Sequence, residues 1–152
     1  MDSNDSNTAA MSREVVSDGS HMHIRTNRIG LLSIQATAPV VDGVLSEHEL
    51  EFTVRIDRVA TGNPLLDPEL QALIHQITSG ILVFRGRRSG EGFSGSASAG
   101  NITVPLDLQT SDSGAVLELA GQAQFSDVQV PLPGLGHIRH LEVDIDGRIR
   151  LG

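Results

Sequence analysis

The sequence contains no cysteine and no lysine, and these two absences exclude several chemistries. Without a thiol, the chain forms no disulfide, no thiolate nucleophile and no cysteine-ligated zinc site. Without lysine, it has neither a Schiff-base amine nor the phosphate-binding lysine of a Walker loop. We therefore expect a protein that works without a cofactor.

Tryptophan and tyrosine are also absent, which leaves four phenylalanines as the aromatic side chains. With a net charge of −8 and no platform for stacking bases, the chain has no expected nucleic-acid partner. No apolar run approaches the ~18 residues of a membrane span. The first residues are polar, with Asp2 and Asp5, and lack the basic start and apolar centre of a signal peptide. We therefore expect a cytoplasmic protein.

The length of 152 residues suits one domain, and 39% hydrophobic with 20% charged residues is a globular composition. Residues 1–18 are rich in serine, asparagine and aspartate and show no periodicity, which predicts a disordered tail. Residues 19–152 are predicted to form the folded domain.

The dominant period after residue 22 is two, which indicates β-strands with one apolar face. In residues 49–57, Leu50, Phe52, Val54 and Ile56 alternate with polar side chains. The same alternation runs through 140–151, where Gly147 is predicted to mark a bulge or a bend. Further strands are predicted at 22–28, 31–37, 81–87, 92–99, 101–108, 115–121 and 122–130. About eight such strands with short connections favour a closed antiparallel barrel.

One amphipathic helix is predicted from Pro68 to about Thr78. Asp67 is the expected N-cap, and proline is favoured at the first helical position. Leu70, Leu73, Ile74 and Ile77 form an apolar stripe with helical spacing, and Gly80 ends the segment. A single helix beside a barrel is expected to lie near an open mouth.

The order of these features resembles the YceI-like family of lipocalin-like barrels. The clearest similarity is VRIDRVATGNPLLDPELQALI at residues 54–74, where an Asp after a strand precedes a Thr-Gly-Asn turn and a short helix. The opening HMHIRTNRIGLLSI, the segment ASAGNITVPLDLQT and the ending FSDVQVPLPGLGHIRHLEVDIDGRI also resemble the family. The resemblance implies an eight-stranded lipocalin-like barrel that binds a polyisoprenoid chain.

Several groups of polar residues are candidates for metal binding, catalysis or anion binding, and ordinary surface exposure is the alternative for each. His21 and His23 alternate on one strand and are candidate metal ligands, but they lie opposite the apolar face, so no metal site is expected. Ser94, Ser96 and Ser98 follow a Gly-rich run, yet a nucleophile elbow requires a following helix. Arginines 85, 87 and 88 are a candidate clamp for an anionic ligand end, and solvated strand ends are the alternative.

The apolar strand faces are the remaining candidate, as either a packed core or the lining of a cavity. Small residues such as Gly95 and Ala97 favour a cavity. The apolar set is Met22, Ile24, Leu32, Ile34, Leu50, Phe52, Val54, Ile56, Phe84, Phe93, Phe125, Leu141, Val143 and Ile145. The predicted ligand-binding residues are this set without Ile145, and Arg85 is added for an anionic ligand end.

Three functions are compatible with this pattern. The first is binding of an elongated apolar molecule, isoprenoid-like or polyketide-like, inside the barrel. The second is a cofactor-free cyclase or isomerase that folds a polyene in the same cavity, since holding reacting carbons together lowers the barrier by ~7–11 kcal/mol. The third is a structural or homodimerising β domain with a filled interior.

Overall fold

The computed structural model describes residues 12–26, 35–130 and 136–152, and these form a closed barrel of eight antiparallel strands. Each strand pairs with its neighbours in sequence, and β8 closes the barrel against β1. The strands are β1 Arg13–Thr26, β2 Gln35–Leu45, β3 Glu49–Arg55, β4 Ile81–Ser89, β5 Gly92–Ala99, β6 Ile102–Asp112, β7 Val116–Val130 and β8 Gly136–Leu151. A short 3₁₀ helix, Ile56–Arg58, and one α-helix, α1 Asp67–Ile77, lie between β3 and β4. The predicted all-β barrel with one helix is confirmed.

The two ends of the barrel differ in their connections. At one end, here the closed end, β2–β3, β4–β5 and β6–β7 are joined by tight turns at residues 46–48, 90–91 and 113–115. The opposite end, here the helix end, carries residues 56–80 with the 3₁₀ helix and α1. In the described ranges, no helix is long and apolar enough to cross a membrane.

The alternating apolar residues face the interior, as a period of two requires. At the closed end they pack without access to water, and burial of each such side chain contributes about 1.5–3 kcal/mol. This solid half of the core consists of Leu45, Leu50, Phe93, Leu108, Leu117 and Ile149.

Strand β1 begins at Arg13, so residues 13–18 belong to the barrel and not to the predicted tail. They pair with the ends of β2 and β8, and the register shifts between Val16 and His21. Gly19 has a φ of 84° in this bulge, and the hydroxyl of Ser20 donates to the Val16 carbonyl at 2.6 Å. The bulge interrupts the period of two, which is why the sequence pattern concealed the start of the strand.

Two other boundaries differ from the sequence prediction for similar reasons. β2 continues to Leu45 through a register shift between Val40 and Asp42, beyond the predicted end at residue 37. β7 is one strand where two were predicted, because Gly121 lies within the wall opposite Ile145.

Candidate ligand site

A cavity of about 40 Å³ lies inside the barrel toward the helix end. Every residue that lines it is apolar, which makes it a site for hydrocarbon and not for a charged or hydrogen-bonding group. The lining is contributed by strands β1, β3, β4, β5, β6 and β8 and by the 3₁₀ helix. It consists of Met22, Ile24, Phe52, Val54, Ile56, Leu82, Phe84, Ala97, Leu106 and Ile145.

Two phenylalanines form the boundary between this cavity and the solid closed end. Phe52 and Phe84 stand opposite each other in the β3–β4 register, and their ring centroids are 5.3 Å apart. Gly86 makes room for this pair, since a Cβ there would lie 2.6 Å from Cζ of Phe84. Both rings are fully buried. They close the cavity on the side that faces the closed end.

Interior glycines make room for protein atoms. A Cβ on Gly147 would overlap the sulfur of Met22, and a Cβ on Gly121 would lie 2.8 Å from Cδ2 of Leu108. Of the bulge and the bend predicted at Gly147, the bulge is wrong, because the pairing of Gly147 with Leu119 and Met22 continues the register on both sides. A Cβ on Gly95 would overlap the carbonyl oxygen of Arg85. These glycines permit close packing of the wall, and at Gly95 this contradicts the free space that the sequence had favoured.

The structure brings six of the predicted ligand-binding residues together at the cavity, beside Ile145 of the wider apolar set. Met22, Ile24, Phe52, Val54, Ile56, Phe84 and Ile145 line the cavity. Leu50 and Phe93 are buried at the closed end instead, and Val143 is half-buried on β8 outside the lining. Leu32 and Ile34 lie outside the described residues, as do the side chains of Phe125 and Leu141. Leu82 and Leu106 line the cavity but were not selected from the sequence, although both continue an alternating pattern.

Helix α1 packs against the helix end through one face. Leu70 and Ile74 are partly buried against the core, and the side-chain amide of Gln71 donates to the Val59 carbonyl at 2.9 Å. Val59 itself is buried. The predicted helix is confirmed, and Leu70 and Ile74 of its apolar stripe face the core. The side chains of Leu73 and Ile77, the other two residues of that stripe, lie outside the described residues.

Asp57 holds the two ends of the helical connection together. Its carboxylate accepts two hydrogen bonds from Arg55, at 2.9 and 2.7 Å, and lies 3.6 Å from Nε2 of His75 on α1. Its backbone N–H donates to the Gly80 carbonyl at 3.2 Å. The hydrogen bonds from Arg55 lower the pKa of Asp57 despite the burial of its side chain, which acts in the opposite direction. The Asp of the predicted motif is thus a structural anchor.

The Thr-Gly-Asn turn is closed by Asp67, which does not act as the predicted N-cap. The carboxylate of Asp67 accepts from both the backbone N–H and the hydroxyl of Thr61, at 2.7 and 2.5 Å. The residue before the helix is Leu66, and no side chain caps it. These hydrogen bonds from Thr61 lower the pKa of Asp67.

Arg85 lies on the outer wall and not beside the cavity. Its Nε is 3.2 Å from Oε1 of Glu51, and its side chain is 74% exposed. Arg87 has the same relation to Glu49, and together the four side chains border an open outer groove of about 320 Å³. Exposed ion pairs of this kind contribute little to stability. The structure does not bring Arg85 together with the apolar lining.

The other polar candidates also face outward. His21 is exposed, and Nδ1 of His23 is 3.0 Å from the Thr37 hydroxyl. Within the described ranges, no three histidine or carboxylate side chains gather as a metal site would require. Ser94 donates to Asp107 on the neighbouring strand at 2.6 Å, and β5 leads into β6 without the helix that a nucleophile elbow needs.

Two solved structures have the same architecture. One is a polyisoprenoid-binding domain from Saccharophagus degradans implicated in plant cell wall breakdown, with a TM-score of 0.58 and 12% identity over 93% of this chain and 99% of that one. The other is BcnA of Burkholderia cenocepacia, with a TM-score of 0.58 and 10% identity over 88% of this chain and 98% of that one. No family model and no curated protein matches the sequence.

At these identities the likeness establishes the fold alone. The lipocalin-like barrel that the resemblance to the YceI-like family predicted is confirmed by the strand order and by both structures. The alignment spans nearly the whole of each neighbour, so the similarity is that of complete domains.

Proposed function

We propose that this YceI-like barrel binds one elongated apolar molecule, isoprenoid-like or polyketide-like, which enters at the helix end. The observation that carries the proposal is the cavity lined only by apolar side chains beside α1. Such a lining offers dispersion contacts and the hydrophobic effect as sources of affinity. The polyisoprenoid-binding domain of the same fold supports the choice of an elongated hydrocarbon.

Binding requires the helix end to make room. The cavity volume of about 40 Å³ is far below the ~300–1,000 Å³ of ordinary ligand pockets. Met22 is the most adaptable residue of the lining, because its unbranched thioether changes rotamer at low cost. Helix α1 lies at the same end, where its Leu70 and Ile74 are partly buried. The bound state in this proposal therefore displaces Met22 and shifts α1, while Phe52 and Phe84 stay as the floor.

Native mass spectrometry of the purified protein, followed by organic extraction, tests the proposal. We expect one ligand per chain, and the mass of the extracted molecule decides between an isoprenoid and a polyketide.

The chain has no tryptophan, so Ile56→Trp introduces a single fluorophore at the lining of the cavity. Titration with a long-chain isoprenoid alcohol should change its emission. The control is Val44→Trp, an exposed site at the closed end, which should not respond. No complex and no response at position 56 would contradict the proposal.

The second function compatible with the sequence is conversion of the ligand by a cyclase or isomerase. The same purified protein can be used to test it. A linear polyene incubated with the protein and analysed by chromatography should be recovered unchanged if the protein only binds it. An isomer of identical mass, formed faster than in buffer, would assign the cyclase or isomerase function instead.

A further inference from the structure

Large apolar side chains are exposed mainly at one end of the barrel. Four such side chains are exposed among the described residues: Leu65 at 85%, Ile102 at 44%, Val44 at 41% and Ile81 at 38%. Leu65 belongs to the connection at the helix end, and Ile81 and Ile102 are the first residues of β4 and β6 at that same end. Only Val44 lies at the closed end. The exposed apolar surface thus coincides with the cavity end.

The exposure of Leu65 is built into its loop. Its backbone N–H donates to Oδ1 of Asn63 at 3.0 Å, and the backbone N–H groups of Leu66 and Asp67 donate to the Asn63 carbonyl, each at 3.0 Å. The hydroxyl of Thr61 accepts from the backbone N–H of Asn63 at 3.1 Å and donates to Asp67. The polar groups of the turn are thus occupied by one another. The turn holds the Leu65 side chain in water, where an apolar group has no stabilising contact.

Ile102 stands at the inner rim of the barrel. It lies on the same face of β6 as Leu106 and Leu108, which are buried inside the barrel. Half-buried Val104 lies between Ile102 and Leu106 on this face. Ile102 therefore belongs to the interior face of β6 but emerges from the barrel at the helix end. An apolar path leads along this face from the exposed rim at Ile102 to Leu106, which lines the cavity.

We propose that the helix end docks on a lipid surface, with Leu65 inserted among the lipids and Ile81 and Ile102 at the contact rim. The inference rests on the proposed function for its cargo. Each CH₂ group favours an apolar phase over water by about fourfold, so an elongated hydrocarbon is found in lipid and not free in water. The apolar path from Ile102 to Leu106 lets such a molecule pass between the lipid and the cavity without crossing water.

The net charge of the protein favours zwitterionic over anionic lipid as the surface. A net charge of −8 repels anionic lipids, so the contact relies on apolar insertion and suits a zwitterionic surface. Insertion of so few side chains gives weak, reversible binding, which is what repeated loading of a ligand requires.

Flotation with phosphatidylcholine vesicles tests this inference. Wild-type protein should float with the vesicles, and Leu65→Ser should lower the vesicle-bound fraction about tenfold, as expected from loss of one inserted leucine. Val44→Ser is the control, because it removes an exposed apolar side chain at the closed end of the barrel. It should float like wild type. Failure of wild type to float, or equal losses in both variants, would overturn the inference.

A second measurement separates this inference from the proposed function. Titration of an isoprenoid alcohol in the absence of vesicles should give the same affinity for wild type and Leu65→Ser, whereas transfer of that alcohol from vesicles should slow in the variant. Flotation that depends on Leu65 without any alcohol binding would support docking and reject the proposed function. Alcohol binding without flotation would support the proposed function and reject docking on lipid. A concentration-dependent dimer that Leu65→Ser abolishes, again without flotation, would assign the rim to a second copy of the chain and overturn lipid docking.

Discussion

The sulfur of Met22 occupies the space that a side chain at position 147 would need. The two residues stand opposite each other in the β1–β8 register, and Met22 is one of the residues that line the cavity. The absence of a side chain on β8 therefore places a flexible side chain of β1 in the cavity wall. This relation makes Met22 the residue whose removal most directly enlarges the site.

We expect Met22→Ala to enlarge the cavity and to strengthen binding of an elongated apolar ligand. Loss of this buried side chain should lower the free energy of unfolding by about 2–5 kcal/mol, measured by urea denaturation. Leu117→Ala is the matched control, because Leu117 is buried at the closed end. It should destabilise the protein similarly without any gain in affinity. A similar gain in both variants would show that the cavity is not the binding site.

The sequence predicted the apolar strand faces but not which half of each face becomes cavity. Alternation identified Phe52 and Phe93 as equivalent, whereas the structure places Phe52 at the cavity and Phe93 in the solid end. That difference depends on cross-strand register, which a single sequence does not contain. The prediction that Gly95 leaves free space for a cavity was wrong for the same reason. The atom that fills this space, the carbonyl oxygen of Arg85, belongs to another strand.

Gly95→Ala should therefore damage the wall, and a larger residue at this position cannot be used to fill the cavity. A Cβ there would overlap the Arg85 carbonyl oxygen and lie 2.5 Å from Cα of Gly86. We expect a loss of unfolding free energy at the upper end of about 1–3 kcal/mol, the usual cost of overpacking. Ser96→Ala, the adjacent residue on the same strand, should change stability by less than about 0.5 kcal/mol. Equal urea midpoints for the two variants would contradict this account of Gly95.

Asp57→Asn should weaken the attachment of α1 and change the pH dependence of stability. Because Arg55 lowers the pKa of Asp57 in the folded protein, the unfolded chain binds a proton at higher pH than the folded chain does. The stabilisation is thus complete above the ordinary Asp value near ~3.9 and is lost as the pH falls through the lower folded value. The Tm of the variant should lie below that of wild type at pH 6, and the difference should shrink as the pH falls below the ordinary Asp value of ~3.9. Parallel curves over this range would show that the ion pair does not stabilise the fold.

Arg85→Ala tests whether an anionic ligand end reaches the outer wall. The hypothesis of an arginine anchor predicts weaker binding of a long-chain carboxylic acid and unchanged binding of its methyl ester. The position of Arg85 favours a different outcome, since its guanidinium is exposed and paired with Glu51 on the outside of β4. We therefore expect the acid and the ester each to bind the variant as they bind wild type. Stability should change by less than about 1 kcal/mol, as is usual for an exposed ion pair.

Ile56→Asp provides the matched comparison for that measurement. This substitution places a carboxylate in the apolar lining, where a charge without a partner is costly. It should weaken binding of the acid and the ester alike, because both must bury hydrocarbon against position 56. If Arg85→Ala instead weakened binding of the acid alone, the ligand would have to extend from the cavity over the rim to the outer wall. Its anionic end would then bind where the sequence predicted, although its hydrocarbon lies inside the barrel.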